Sequence, residues 1–179
     1  MKRKDGFSTI ELMVTIAILA IVALIAIPGF SRWLPNYRLR VAARDVFSNF
    51  QHARLTAVKR HAVCAITFSQ AVGGTTYDYV VFVDKDSDLE FDDPGDEVLT
   101  SVLFSERYKG VSFDTTKGGG DGIGFPTNGA GLPSIGFLTN GFSVDKDGTP
   151  VSGSVYLTNP NGRERELAVS AAGSVTIIE

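Results

Sequence analysis

Apolar residues follow three successive patterns along the chain. From Leu12 to Ser31 the stretch LMVTIAILAIVALIAIPGFS holds 20 residues without a charge. As a helix rising about 1.5 Å per residue it spans about 30 Å, the thickness of a bilayer's hydrocarbon core. After Pro28 the pattern turns amphipathic. Phe30, Trp33, Leu34, Tyr37, Val41, Val46, Phe47, Phe50, Ala53, Ala57 and Val58 fall near one face, with Arg32, Arg38, Arg40, Arg44, Arg54 and Lys59 largely on others, where a solvated face or contacts near lipid headgroups are expected and a nucleic-acid face is the alternative. These two patterns predict one helix from about Phe7 to about Arg60. Pro28 removes a backbone donor and clashes with the carbonyl of Leu24, which predicts a kink, and Pro35 predicts a further local bend. From His61 onward short β-type runs alternate with turn signals. The candidate strands are Val63–Phe68, Tyr77–Asp84, Val98–Phe104, Val111–Phe113, Ser134–Leu138, Phe142–Asp145, Ser154–Leu157, Glu166–Ser170 and Val175–Ile178. Dipeptides such as Gly73-Gly74, Asn140-Gly141, Asp147-Gly148 and Asn161-Gly162 mark the turns between them. Helix is thus expected only at the front, and the class is α+β: a long N-terminal helix packed on an antiparallel β-domain. The expected segments are a leader over residues 1–6, a transmembrane or helix-packing segment over 7–31, its amphipathic continuation over 32–61 and a β-rich domain over 62–179.

Composition narrows the function classes. Lys+Arg 17 against Asp+Glu 20 gives a formal net charge of -3 over 179 residues, which excludes coating nucleic acid by bulk charge and leaves only a local basic patch. The single cysteine, Cys64, excludes an intrachain disulfide, and with only His52 and His61 no structural zinc site can close. No nucleophile and base are legibly paired and no dinucleotide fingerprint is present, so neither an enzyme nor a cofactor is expected. The glycine-rich stretch Lys117–Gly141 reads as a mobile or irregular loop. Eight carboxylates crowd the 14 positions from Asp84 to Glu97: Asp84, Asp86, Asp88, Glu90, Asp92, Asp93, Asp96 and Glu97. Asp84-x-Asp86-x-Asp88 copies the start of a calcium loop, but Leu89 stands where the sharp turn wants Gly and Gly95 where the bidentate Glu belongs. An exposed acidic hairpin loop is the expectation, with calcium binding the alternative, and no metal site is assigned.

The N-terminus carries more information. In MKRKDG the bases Lys2, Arg3 and Lys4 outnumber Asp5, which orients a membrane helix with its N-terminus in the cytoplasm. A cleaved secretory signal peptide is the alternative. Against it, the apolar run is long, its only nearby small-x-small site is Gly29-Phe30-Ser31, and the helical pattern continues past that point. Glu11 is the anomaly, since a carboxylate in an apolar segment costs several kcal/mol in hydrocarbon unless it is paired. The next base along the helix is Arg32, about 30 Å away. A cut between Gly6 and Phe7 would create an α-amino group at the depth of Glu11, and a neighbouring copy could present that group to it, so the carboxylate points to assembly. Lys4-Asp5-Gly6-Phe7-Ser8-Thr9-Ile10-Glu11-Leu12, with the apolar run and Pro28, resembles the class III signal of type IV prepilins and type II secretion pseudopilins. The resemblance implies cleavage after Gly6 by a prepilin peptidase, N-methylation of Phe7, and docking of Glu11 on the amino terminus of an adjacent subunit. Other pilins or pseudopilins, the peptidase and an inner-membrane assembly platform are the implied partners. Losing the leader removes three bases and one acid, taking the formal charge from -3 to -5. Ala17, Ala20, Ala23 and Ala26 recur every three residues, either as a stripe for close helix approach or as part of a generic lipid-facing helix.

In Gly162-Arg163-Glu164-Arg165 an extended backbone places Arg163 and Arg165 on one face and Glu164 and Glu166 on the other, so two guanidiniums stand side by side as adjacent phosphates would require. The alternative is a charged edge strand. The AVCAITF strand, the YDYVVFVDKDSD hairpin and the closing NGRERELAVSAAGSVTI segment behind the long helix resemble the GspH/FimT family of minor pseudopilins and minor pilins. The resemblance implies the type IV pilin-like fold and a non-catalytic subunit of a type II secretion pseudopilus, held in the inner membrane with its β-domain in the periplasm. In the FimT branch a GRxR element is implicated in DNA uptake, which makes a DNA-binding minor pilin acting through Arg163 and Arg165 the second reading.

Overall fold

One helix, α1 (Thr9–Arg60), opens the protein, whose computed structural model describes residues 7–92 and 94–178. Both prolines expected to bend the helix lie inside it. The chain falls into two compact units, Met1–Leu34 and Pro35–Glu179, and α1 contributes to each. In the first unit every large apolar side chain from Ile10 to Phe30 is at least half exposed, as expected of a helix whose solvent is lipid or other helices rather than its own domain. In the second unit the buried positions of α1 are Leu39, Ala42, Ala43, Val46, Phe50, Ala53, Thr56 and Ala57, recurring at the three- and four-residue spacing of one helical face. This stripe corrects the expected one: Tyr37 and Val58 are exposed, while Leu39, Ala42 and Ala43 are inside. The helix ends where His61 takes φ 52°, with the Ala62 N–H bonded to the Ala57 carbonyl at 3.3 Å, a left-handed stop that satisfies an otherwise orphaned acceptor.

The strands that follow are β1 (Val63–Phe68), β2 (Ala71–Val72), β3 (Thr75–Thr76), β4 (Tyr79–Asp84), β5 (Glu97–Val102), β6 (Ser112–Phe113), β7 (Ser134–Phe137), β8 (Ser143–Val144), β9 (Gly153–Thr158), β10 (Glu164–Val169) and β11 (Val175–Ile178). They form a five-stranded sheet ordered β5-β4-β1-β7-β8, a four-stranded sheet ordered β11-β10-β9-β6, and the small β2-β3 hairpin. Every pairing is antiparallel. A short helix, α2 (Phe104–Arg107), follows β5, so helix is not confined to the front; the Asp78 carboxylate accepts its first N–H, from Phe104, at 2.6 Å. Of the glycine-rich stretch expected to be a loop, residues 117–133 are irregular but packed, and β7 follows within it. Ile123 and Phe125 are in the core, and Ile123 bridges to Val155.

Phe50 of α1 sits among Phe68, Phe125 and Phe137, with ring centroids 6.4, 6.2 and 6.4 Å away. One continuous apolar cluster joins α1, the five-stranded sheet through Cys64, Ile66 and Val81, and the four-stranded sheet through Val155, Leu157, Leu167 and Val169. β4 is buried along its whole length because the opposite face of its sheet is covered too. There Ala65, Val80, Phe82 and Leu89 form a second cluster, with Phe91 packed on Phe82 at 5.4 Å. Leu89 and Phe91 belong to the acidic segment, so this hairpin loop keeps Asp86, Asp92 and Glu97 exposed as expected while also covering the sheet.

Candidate functional site

At the N-terminus, Gly6 lies outside the described residues. Phe7 precedes α1 and is 80% exposed, and Glu11 stands exposed in the first helical turn, where the unpaired N–H groups of the helix favour a negative charge. The Thr15 hydroxyl donates to the Glu11 main-chain carbonyl at 2.6 Å. Among the described residues of the first unit, Arg32 is the sole basic side chain, and it lies about 30 Å along the helix.

The acidic segment is shaped by Asp84, which is 1% exposed. Its carboxylate accepts the N–H of Ser87 at 2.7 Å and of Leu89 at 2.9 Å, and burial pushes its pKa up to about 6. Leu89 takes φ 61°, the left-handed conformation that Gly fills in a calcium loop, while its side chain enters the core. The Leu89 carbonyl accepts the Thr67 hydroxyl at 3.1 Å and the Asn128 amide at 2.8 Å. Oxygens of Asp84, Asp86 and Asp88 lie within 4.8 Å of one another, but both oxygens of Asp84 already accept the loop's own backbone. Asp93 lies outside the described residues. Cys64 is fully buried, and burial pushes its thiol up to about 11, which makes it a core residue of low reactivity.

The two arginines that the sequence groups stand at the start of β10. Arg163 precedes β10, exposed on a turn organised by Asn159. The Asn159 side-chain oxygen accepts the N–H of Asn161 and of Arg163, each at 3.0 Å, and its amide donates to the Asn36 oxygen at 2.9 Å. Asn161 donates to the same Asn36 oxygen at 3.1 Å, so α1 holds the turn from two sides. Arg165 lies within β10, opposite Leu157 of β9. β10 pairs with β9 along its length, and among the described residues β11 covers its other side from Glu166 to Val169. Glu164 pairs with Lys117, whose Nζ lies 5.4 Å over the Tyr156 ring, and Glu166 accepts the Ser154 hydroxyl at 2.7 Å. Arg165 reaches a groove of about 330 Å³ lined by Arg40, Ala43 and Arg44 of α1 and Ile177 of β11. Arg40 and Arg44 are among the helix arginines that the sequence places on a solvated face. Their spacing of four residues was visible, but their juxtaposition with β10 is tertiary. Arg54, expected on a solvated face, is half-buried and donates to the carbonyls of Gly141 at 3.0 Å and Ala172 at 3.4 Å.

The family model described as Type II transport protein GspH matches residues 42–173, and the prokaryotic N-terminal methylation motif matches residues 1–27. The type IV minor pilin FimU of Pseudomonas aeruginosa PAO1 superimposes with a TM-score of 0.51 at 15% identity, over 82% of this chain and 92% of that one. A second crystal form of FimU gives 0.47 at 16% identity, over 79% and 93%. No curated protein matches the chain. The likeness to FimU establishes the fold, the type IV pilin arrangement of a long helix on antiparallel sheets, and the apolar helix together with the methylation motif fits a membrane-anchored pilin. With the family model over well more than half of its length, the chain belongs to the GspH family, as a pilin-like minor pilin or pseudopilin, a structural subunit of a filament and not an enzyme.

Proposed function

We propose that this chain is a minor pseudopilin of a type II secretion pseudopilus. The observation that carries the reading is the match of the Type II transport protein GspH model to residues 42–173. The prepilin is inserted with residues 1–6 in the cytoplasm, 7–31 across the inner membrane, and 32–61 leading to a periplasmic β-domain over 62–179. A prepilin peptidase cuts after Gly6 and Phe7 is methylated. The assembly platform then moves the subunit from lipid into a helical stack. In that water-poor interior the Glu11 carboxylate meets the amino terminus of a neighbour, and the geometry favours this exchange because no described cation of its own unit lies nearer than Arg32.

Replacing Glu11 with Ala is expected to leave processing intact and remove the subunit from sheared filaments; wild-type incorporation would overturn the assembly role. Gly6→Leu is expected to stay at precursor size on a gel, and a band at the mature size would defeat the cleavage assignment. Deleting the gene is expected to leave secreted proteins in the periplasm with DNA uptake unchanged.

The exposure of Arg163 and the position of Arg165 on a groove with other arginines favour a second reading, a minor type IV pilin that binds DNA for uptake. Loss of DNA uptake with normal secretion in the deletion strain would replace the first reading with this one.

A further inference from the structure

We propose that the end of the second unit where α1 enters it is a docking surface for anionic phospholipid headgroups, with Arg40, Lys109 and Arg163 as its charged contacts. This rests on the membrane-anchored topology proposed above and does not depend on the choice between secretion and DNA uptake.

Three segments meet at that end. On α1, the Asn36 oxygen accepts the side-chain amides of Asn159 at 2.9 Å and Asn161 at 3.1 Å, and Arg38 donates to the Lys109 carbonyl at 3.0 Å. The two loops held in this way also touch each other, since a Cβ added at Gly110 would stand 3.3 Å from the Pro160 ring. Arg40, one helical turn after Asn36, is exposed, as are Lys109 and Arg163 on the two loops. The acids around them are engaged or offset. None occurs between Glu11 and Asp45, Asp45 accepts the Tyr108 hydroxyl, Glu164 pairs with Lys117, and the exposed Glu106 is followed by the equally exposed Arg107. The chain itself keeps this end near the bilayer. Asn36 and Arg40 follow the end of the charge-free run at Ser31 by about 8 and 14 Å of helix. Guanidiniums bind phosphate oxygens bidentately, and the Lys109 ammonium adds a point charge. The opposite charge sits at the other end of the unit. There the acidic loop follows β4, whose last residue, Asp84, pairs with Val63 just past the end of α1. From Asn36 to Arg60 the helix rises about 36 Å, far beyond a screening length of about 8 Å. An anionic surface therefore attracts one end and repels the other, which turns this end of the domain to the membrane although the chain is acidic overall.

The test is hydrogen exchange of the full chain in nanodiscs of phosphatidylcholine, alone or with about 30% phosphatidylglycerol. With the anionic lipid, segments 108–111 and 160–164 are expected to exchange at least about fivefold more slowly, the preference of a single base for such a surface, while the acidic loop is unchanged. Salt near about 0.5 M, which screens charges over roughly 4 Å, should erase the difference. Arg40→Gln/Lys109→Gln/Arg163→Gln should lose the protection and Arg40→Lys/Lys109→Arg/Arg163→Lys should keep it, with equal melting of the two showing the fold unharmed. Protection that the glutamine variant retains would overturn the assignment of these bases. Equal exchange in the two bilayers, with residues 12–31 protected, would overturn the headgroup contact and leave the topology standing. Free exchange over 12–31 would show that the chain does not span the bilayer and would overturn both. Protection of the two segments by short duplex DNA in phosphatidylcholine nanodiscs, with none from phosphatidylglycerol, would put a nucleic acid in place of the lipid and overturn the proposal.

Discussion

Asp84 ends β4 beneath the loop that it begins, and its protonation is tied to folding. Burial is the main cause of its raised pKa, and the N–H groups of Leu89 and Ser87 offset only part of the effect, leaving it at about 6 against an ordinary 3.8. Because the folded value lies above the unfolded one, the native state holds the proton more tightly. The stability this contributes is complete below about pH 4 and is lost as pH rises through about 6. A rise of that size corresponds to about 3 kcal/mol. Urea unfolding of wild type and Asp84→Asn should therefore show their difference moving in the variant's favour by about 1–3 kcal/mol between pH 4 and pH 7. A difference that stays constant with pH would mean that Asp84 ionises as freely in the fold as in the unfolded chain. The Asp-x-Asp-x-Asp pattern was legible as a tight loop, and Leu89 was legible as its departure from a calcium loop. That Leu89 keeps the left-handed turn while filling a pocket against Phe82 and Ala65 was not, because nothing local says which face of a sheet needs covering.

At the level of elements, β1 and β4 were readable because apolar runs bounded by turn residues form strands whichever faces they bury. The two-residue strands β2 and β3 and the four-residue α2 are too short to show a period, whereas the equally short β6 and β8 lie inside the expected runs Val111–Phe113 and Phe142–Asp145. In α1 the apolar residues outnumber those that one face can hold, so the sheets choose the stripe. Small Ala42, Ala43, Ala53 and Ala57 let the backbone come close, and Tyr37 and Val58 are left outside. The Gly162–Arg165 element was legible as a pair of arginines but not as a turn fastened to the helix. Asn36 is that fastener, accepting two amide donors from a turn whose Asn159 is 6% exposed. Its removal leaves two donors without their acceptor, so Asn36→Ala should cost about 1–2 kcal/mol and raise hydrogen exchange at Asn161 and Arg163 more than at β11. Protection of the turn equal to wild type would show that Asn159 alone suffices to hold it.

On the scale of the whole molecule, the two units draw their stability from different sources. Pro35–Glu179 contains the aromatic cluster around Phe50, whereas Met1–Leu34 exposes its apolar side chains and depends on lipid or on neighbouring helices. Substitutions should then divide cleanly. Phe50→Ala removes a fully buried ring that touches Phe68, Phe125 and Phe137, and it should destabilise the second unit by about 3–5 kcal/mol. It should nevertheless leave peptidase cleavage intact, because the processing signal lies in residues matched by the methylation motif and not in the β-domain. Glu11→Ala should do the reverse, shifting the melting of the second unit by no more than about 0.5 kcal/mol while removing the subunit from filaments. Calorimetry of both variants in detergent, run beside a gel for precursor and mature bands, measures all of these outcomes. If Phe50→Ala were inserted in the membrane yet uncleaved, or if Glu11→Ala melted several degrees lower, the units would be coupled, and the β-domain would take part in maturation as well as in the finished filament.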